Sequence, residues 1–145
     1  MISGYLLDTS FISQVEPGRD DAQRRFAAWL QANQEKCYLS TMTVTELERG
    51  VARLERLGHS AKARVIGKWV DEVLAWYGSR VIALDLAGSR LAGRMLESTV
   101  SRGHMPSLPD VLIAATARSN SLIVLTLNLE DFVALETQCE NPLVT

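Results

Sequence analysis

The sequence predicts an α/β sandwich, a mostly parallel sheet with helices packed on its faces. Short apolar runs alternate along the chain with longer segments whose apolar residues recur every three or four positions. The intervening helices are long enough to carry the chain back over a sheet, so successive strands run parallel. No internal repeat, low-complexity tract or Pro/Ser-rich linker breaks this pattern over 145 residues, so one domain, 1–145, is expected.

Taken in order, Tyr5–Leu7 is the first buried strand. Ala22, Phe26, Trp29 and Leu30 share one face of a helix from about Asp20 to Gln34, and Cys37–Leu39 is a second strand. Leu47, Val51 and Leu54 recur at helical spacing from about Val44 to Leu57; Val65, Trp69, Val73 and Trp76 do so from Lys62 to Tyr77. Gly58 between them fits a helix stop. Val81–Leu84 reads as a third strand, Leu86 to Val100 and Val111 to Arg118 as helices, and Leu122–Thr126 as the strongest strand. A short helix from Leu129 and a last strand near Leu143–Val144 complete the chain.

Composition narrows the chemistry. The chain is 47% hydrophobic and 22% charged, as globular proteins are, and its net charge of −2 excludes a strongly basic coat for nonspecific nucleic-acid binding. Any nucleic-acid contact is local. The longest apolar runs, such as Leu122 to Leu125, are too short to span a membrane and Met1-Ile2-Ser3 lacks a basic secretory head, so a cytoplasmic protein with no membrane contact is expected. Cys37 and Cys139 form no CxxC pair and only His59 and His104 are present, so a bound metal would rely on oxygen ligands, as Mg²⁺ or Mn²⁺ does.

The carboxylates with that potential lie at strand-to-helix junctions. Asp8 follows the first strand, Glu46 the second, Asp110 opens the helix after Pro106-Ser107-Leu108-Pro109, and Asn128 and Asp131 follow the last long strand. Each also fits local structure: Asp8 an Asx turn or helix cap, Thr43-x-x-Glu46 a capping box, Ser107-x-x-Asp110 a helix cap, Asn128 an N-cap with Asp131 in the first turn. A parallel sheet nevertheless gathers these junctions along one edge. Carboxylates gathered there raise one another's pKa unless a cation neutralises them, which points to metal-assisted attack of water on a phosphodiester.

The segments themselves resemble the PIN-domain family. Leu6-Leu7-Asp8-Thr9-Ser10-Phe11-Ile12 resembles its opening, Thr43-Val44-Thr45-Glu46-Leu47-Glu48-Arg49-Gly50 its second motif, and Pro109-Asp110-Val111-Leu112-Ile113-Ala114-Ala115-Thr116-Ala117 its third. Thr126-Leu127-Asn128-Leu129-Glu130-Asp131-Phe132 is similar to the fourth, and Asn141-Pro142 to the family's terminal pair. The similarity is greatest to toxins of the VapC and FitB type. It implies a PIN-like three-layer sandwich and a Mg²⁺-dependent endoribonuclease with Mn²⁺ as substitute. It also implies a homodimer and a cognate antitoxin as inhibitor. Catalytic and metal roles carry over to Asp8, Glu46, Asp110 and Asp131, with Thr9, Ser10, Thr126 and Asn128 in support. Two positions depart from the pattern: Ser10 replaces the usual Asn, and Leu127 the usual Arg.

Arg49, Arg53 and Arg56 share one helical face by spacing, and with Arg94 they are candidates for contact with RNA or antitoxin; a solvated face fits equally. Leu47, Val51 and Leu54, with Trp69 and Trp76, fit either a groove for an antitoxin helix or plain core. Three other readings differ in class. A flap-cutting DNA nuclease would need long insertions that this chain has no room for. A phosphoacceptor domain would need a second acid beside Asp8 and a late Lys, and no Lys follows Lys68. A catalytically weak PIN domain acting mainly by binding RNA or protein is the alternative that the Leu127 and Asn128 positions favour.

Overall fold

The computed structural model describes residues 4–19 and 22–143. Its centre is a five-stranded sheet in the order β3-β2-β1-β4-β5, with β1 Gly4–Leu7, β2 Cys37–Ser40, β3 Val81–Ile82, β4 Leu122–Leu125 and β5 Cys139–Glu140. Every neighbouring pair is parallel. Strand alternation divides the core into two layers. Leu7, Leu39 and Leu125 face one side, where they meet Phe11, Phe26, Leu30, Leu47, Val51 and Val70. Leu6, Leu122 and Val124 face the other and meet Ala92, Met95, Val111, Ala114 and Phe132. The first layer is built by α2 Ala22–Asn33, α3 Thr41–Arg56 and α4 Ser60–Tyr77, with the short α1 Thr9–Ile12; the second by α5 Leu86–Ser101, α6 Leu108–Ser119 and α7 Leu129–Ala134.

The chain steps from β1 to β2 and β3 on one side, then crosses to β4 and β5 on the other. That reversal opens a crevice at the carboxyl ends of β1 and β4, the usual place for a site in an open α/β sheet. At Gly4 the backbone must come close: an added Cβ would stand 2.4 Å from the Lys36 carbonyl oxygen. At the far end of α3, Gly58 adopts φ +83 and the chain closes with Gly58 N–H donating to Glu55 O and His59 N–H to Leu54 O, a Schellman stop.

Several boundaries differ from the sequence expectation. The helix expected from Val44 starts at Thr41, because Ser40 Oγ accepts the Thr43 N–H at 3.1 Å and caps it earlier. The third strand is only Val81–Ile82. The last strand is not the apolar Leu143–Val144 but Cys139–Glu140, joined to β4 by Val124 N–H to Gln138 O and Thr126 N–H to Glu140 O. Backbone pairing at a sheet edge needs no apolar side chain, and Pro142 has no N–H to give. Leu143 lies in a turn; Val144 and the Asp20 start of the second helix lie outside the described residues. Among the described residues no helix is long and apolar enough to cross a membrane.

Candidate active site

Asp8 leaves β1 directly into the crevice. Its backbone N–H donates to Leu125 O at 2.8 Å, which ties the end of β1 to the end of β4. The residue is buried, at 4% exposure, yet its carboxylate caps no helix. Two hydroxyls hold Oδ2 instead: Ser10 Oγ donates to it at 2.7 Å and Thr126 Oγ1 at 2.8 Å. Each of those hydroxyls also accepts a backbone N–H of the β4–α7 loop, Ser10 from Leu127 at 3.1 Å and Thr126 from Asn128 at 2.9 Å. The loop and the carboxylate therefore fix each other, and Asn128, at the start of α7, caps nothing with its side chain.

Glu46 reaches the same crevice from the second turn of α3. Because Ser40 is the cap, the expected pairing of Thr43 with Glu46 as a capping box does not form. Thr9 Oγ1 donates to Glu46 Oε1 at 2.6 Å and lies 3.1 Å from the buried Thr43 Oγ1. The sequence offers Thr43 only as the cap of a capping box with Glu46; its contact with Thr9, made from one turn ahead of Glu46 inside α3, is a role that spacing alone does not distinguish from a cap.

Asp110 stands in the first turn of α6, where Ser107 Oγ accepts its N–H at 3.2 Å, as the capping pattern implied. Its carboxyl is half-buried, and burial followed by the negative charge of Asp8 pushes it up to about 6. A hydrogen bond with Ser107 works the other way, while Asp131 and Glu46 add further upward pushes. Asp8, Asp131 and Glu46 thus all bear on Asp110, although Asp131 is itself exposed in the first turn of α7. Among the described residues no three His, Cys, Asp or Glu side chains are drawn together as a ligand set, and none of these four acids forms a salt bridge. Oxygen is the only donor that Asp8, Glu46, Asp110 and Asp131 offer. Such a set suits a hard divalent ion.

The basic candidates divide. Arg49, Arg53 and Arg56 line a shallow hollow on α3 with Ala52, and Arg53 also lines the trough that runs to Glu46. Arg94 stands apart, in a small hollow with Arg102, Arg118 and Glu136 that includes none of the acids. Of the apolar stripe, Leu47 and Val51 are buried core. Trp69 and Trp76 instead line an open hollow of about 410 Å³ with Val15, Leu30 and Tyr77, between α2 and α4.

A family model described as the PIN domain matches residues 5–136. The chain is 32% identical over 139 residues to Toxin FitB of Neisseria gonorrhoeae, covering 94% of this chain and 96% of that protein. It is also 32% identical, over 140 residues and with the same coverage, to VapC ribonuclease Y4jK of Sinorhizobium fredii. Among solved structures it superimposes on a chain of FitAB bound to an IR36 DNA fragment with a TM-score of 0.83 and 29% identity, covering 97% of this chain and 96% of that one.

Proposed function

This chain belongs to the PIN-domain family, and from that premise we propose that it is a Mg²⁺-dependent endoribonuclease and the toxin of a toxin–antitoxin pair. The observation that carries the reading is the geometry of the acids at the strand ends: hydroxyls of Ser10 and Thr126 hold Asp8, Thr9 holds Glu46, and Asp110, pushed up to about 6 by burial and then by Asp8, stands near enough to feel both. Asp8, Glu46 and Asp110 would hold the ion, with Asp131 as the outermost acid. Bound there, Mg²⁺ or Mn²⁺ supplies the polarisation of phosphate and water that hydrolysis of a phosphodiester requires.

The chain's own residues prepare that chemistry by position. Ser10 and Thr126 both donate to Oδ2 of Asp8, so Oδ1 would be the oxygen left for an incoming ligand. Thr9 fixes Glu46 in the same manner. Hydroxyl donors steady a carboxylate without neutralising it, which keeps its charge available. Burial and then the charge of Asp8 push the Asp110 carboxyl up to about 6, and holding a cation there would require its ionised form. The Leu127 side chain brings no charge to the rim, so substrate phosphates must be met elsewhere.

The similarity to Toxin FitB and to the solved assemblies FitAB and FitAcB supports an antitoxin partner for this chain too. The hollow bearing Trp69 and Trp76 suits an apolar antitoxin segment. On family membership alone, we also propose that the chain acts as a homodimer in the cytoplasm. The direct test is RNA cleavage by purified protein in EDTA and after addition of Mg²⁺ or Mn²⁺. Cleavage is expected only with metal. Undiminished cleavage in excess EDTA removes the proposal.

A further inference from the structure

We propose that the trough between α3 and α4 is the path of a single RNA strand running away from the acidic crevice, its phosphates held by Arg53 and Lys62. The inference rests on the ribonuclease reading and adds to it where the substrate lies. The trough, of about 650 Å³, is lined by Thr9, Glu46 and Glu16, whose charge Arg19 meets at 3.3 Å, and it passes Gly50 and ends among Arg53, His59 and Lys62. Arg53 also borders the hollow of Arg49 and Arg56, so the basic surface continues from the far end of the trough along α3. Glu48 and Glu55 interleave in the sequence, yet among the described residues none of these four cations forms a salt bridge. Their charge is free to meet an anion.

Two further features select a single strand. The floor is apolar, with Leu54 and the half-exposed Leu57, and unpaired bases can rest their faces there while the sugar–phosphate chain follows the cations. A paired helix has no free base faces to offer. Gly50 sits inside α3, where glycine is unfavourable, without a positive φ to require it, and an added Cβ would meet nothing within 4 Å. Packing does not demand a glycine. Its missing side chain keeps the trough open beside Glu46.

The test measures binding separately from cleavage. Anisotropy of a short labelled single-stranded RNA is recorded in EDTA with the full chain as wild type, R53Q/K62Q, Gly50→Met and, as a control outside the trough, Arg24→Gln. The double variant should bind about tenfold more weakly at physiological salt, with a log–log salt slope shallower by about 1.4 for two lost phosphate contacts. Gly50→Met adds a good helix former, so it should keep its melting temperature and still lose affinity, while Arg24→Gln should bind as wild type does. No binding by wild type, unchanged affinity and slope in R53Q/K62Q, or an equal loss in Arg24→Gln overturns the proposal. So does a double variant that loses binding to polyglutamate and keeps its RNA affinity, since the cations would then serve an acidic protein segment. Cleavage assayed in parallel separates the two readings. Binding through the trough without metal-dependent cleavage rejects the ribonuclease alone, and cleavage with trough-independent binding rejects the trough alone.

Discussion

Replacing Asp110 by Asn should stabilise the metal-free protein at neutral pH, and only there. The Asp110 carboxyl is pushed from 3.8 up to about 6 by burial and then by the charge of Asp8. Below pH 3.8 the group is protonated in the folded and unfolded chain alike, and its favourable contribution is fully present. As pH rises through about 6 the folded chain must ionise a carboxyl that its surroundings disfavour, and that contribution is lost. A shift of this size corresponds to about 3 kcal/mol as a ceiling, and solvent screening at a half-buried group brings it to about 1 kcal/mol. Asn keeps the shape and the acceptor and carries no charge. Thermal unfolding in EDTA should therefore show the variant melting about 3 °C above wild type near pH 7.5, with the gap closing toward pH 4. Mg²⁺ should then raise the melting temperature of wild type and leave the variant nearly unmoved. A variant less stable than wild type at pH 7.5, or a gap that does not change with pH, would refute the reasoning.

The same logic grades the other positions. Glu46→Gln should abolish RNA cleavage, whereas Asp131→Asn, at an exposed outer acid, should be the mildest of the acid substitutions; equal losses in a cleavage assay would contradict that order. Thr126→Val removes a donor to Asp8 and the acceptor for the Asn128 N–H, and should cost about 1–3 kcal/mol in denaturant unfolding together with a clear loss of cleavage. An unchanged midpoint would mean that the hydroxyl is dispensable. Light scattering at micromolar concentration should give about twice the chain mass, and a strict monomer would count against the homodimer.

Much of the fold was legible because its signals are periodic. The alternation of Leu6 and Leu7 between the two core layers, and the recurrence of Leu47 and Val51 along α3, are visible in the sequence because burial repeats with the backbone. The last strand was not, since Cys139–Glu140 joins the sheet through backbone hydrogen bonds that polar residues make as readily as apolar ones. The start of α3 was misplaced for a related reason: Ser40 caps it from a position that reads as strand. At the site, the junction positions of Asp8, Glu46 and Asp110 could be read from the order of elements. The local alternatives to a metal role could not be judged until the hydrogen bonds were known. Asp8 and Glu46 turn out to be held by hydroxyls and not spent on capping, while the Ser107 cap expected at Asp110 is present. Arg94, a candidate from its place in the sequence, lies with Arg102, Arg118 and Glu136 instead, because a position along one helix does not fix what its side chain meets.

The central claim is that the junction carboxylates make this crevice a metal-dependent ribonuclease site. Its most direct test is the rate of RNA cleavage by purified Asp8→Asn and Asp110→Asn at saturating Mg²⁺, with melting temperatures measured on the same samples. The account predicts that both variants remain folded and that cleavage collapses in each. Full activity in both folded variants would contradict it.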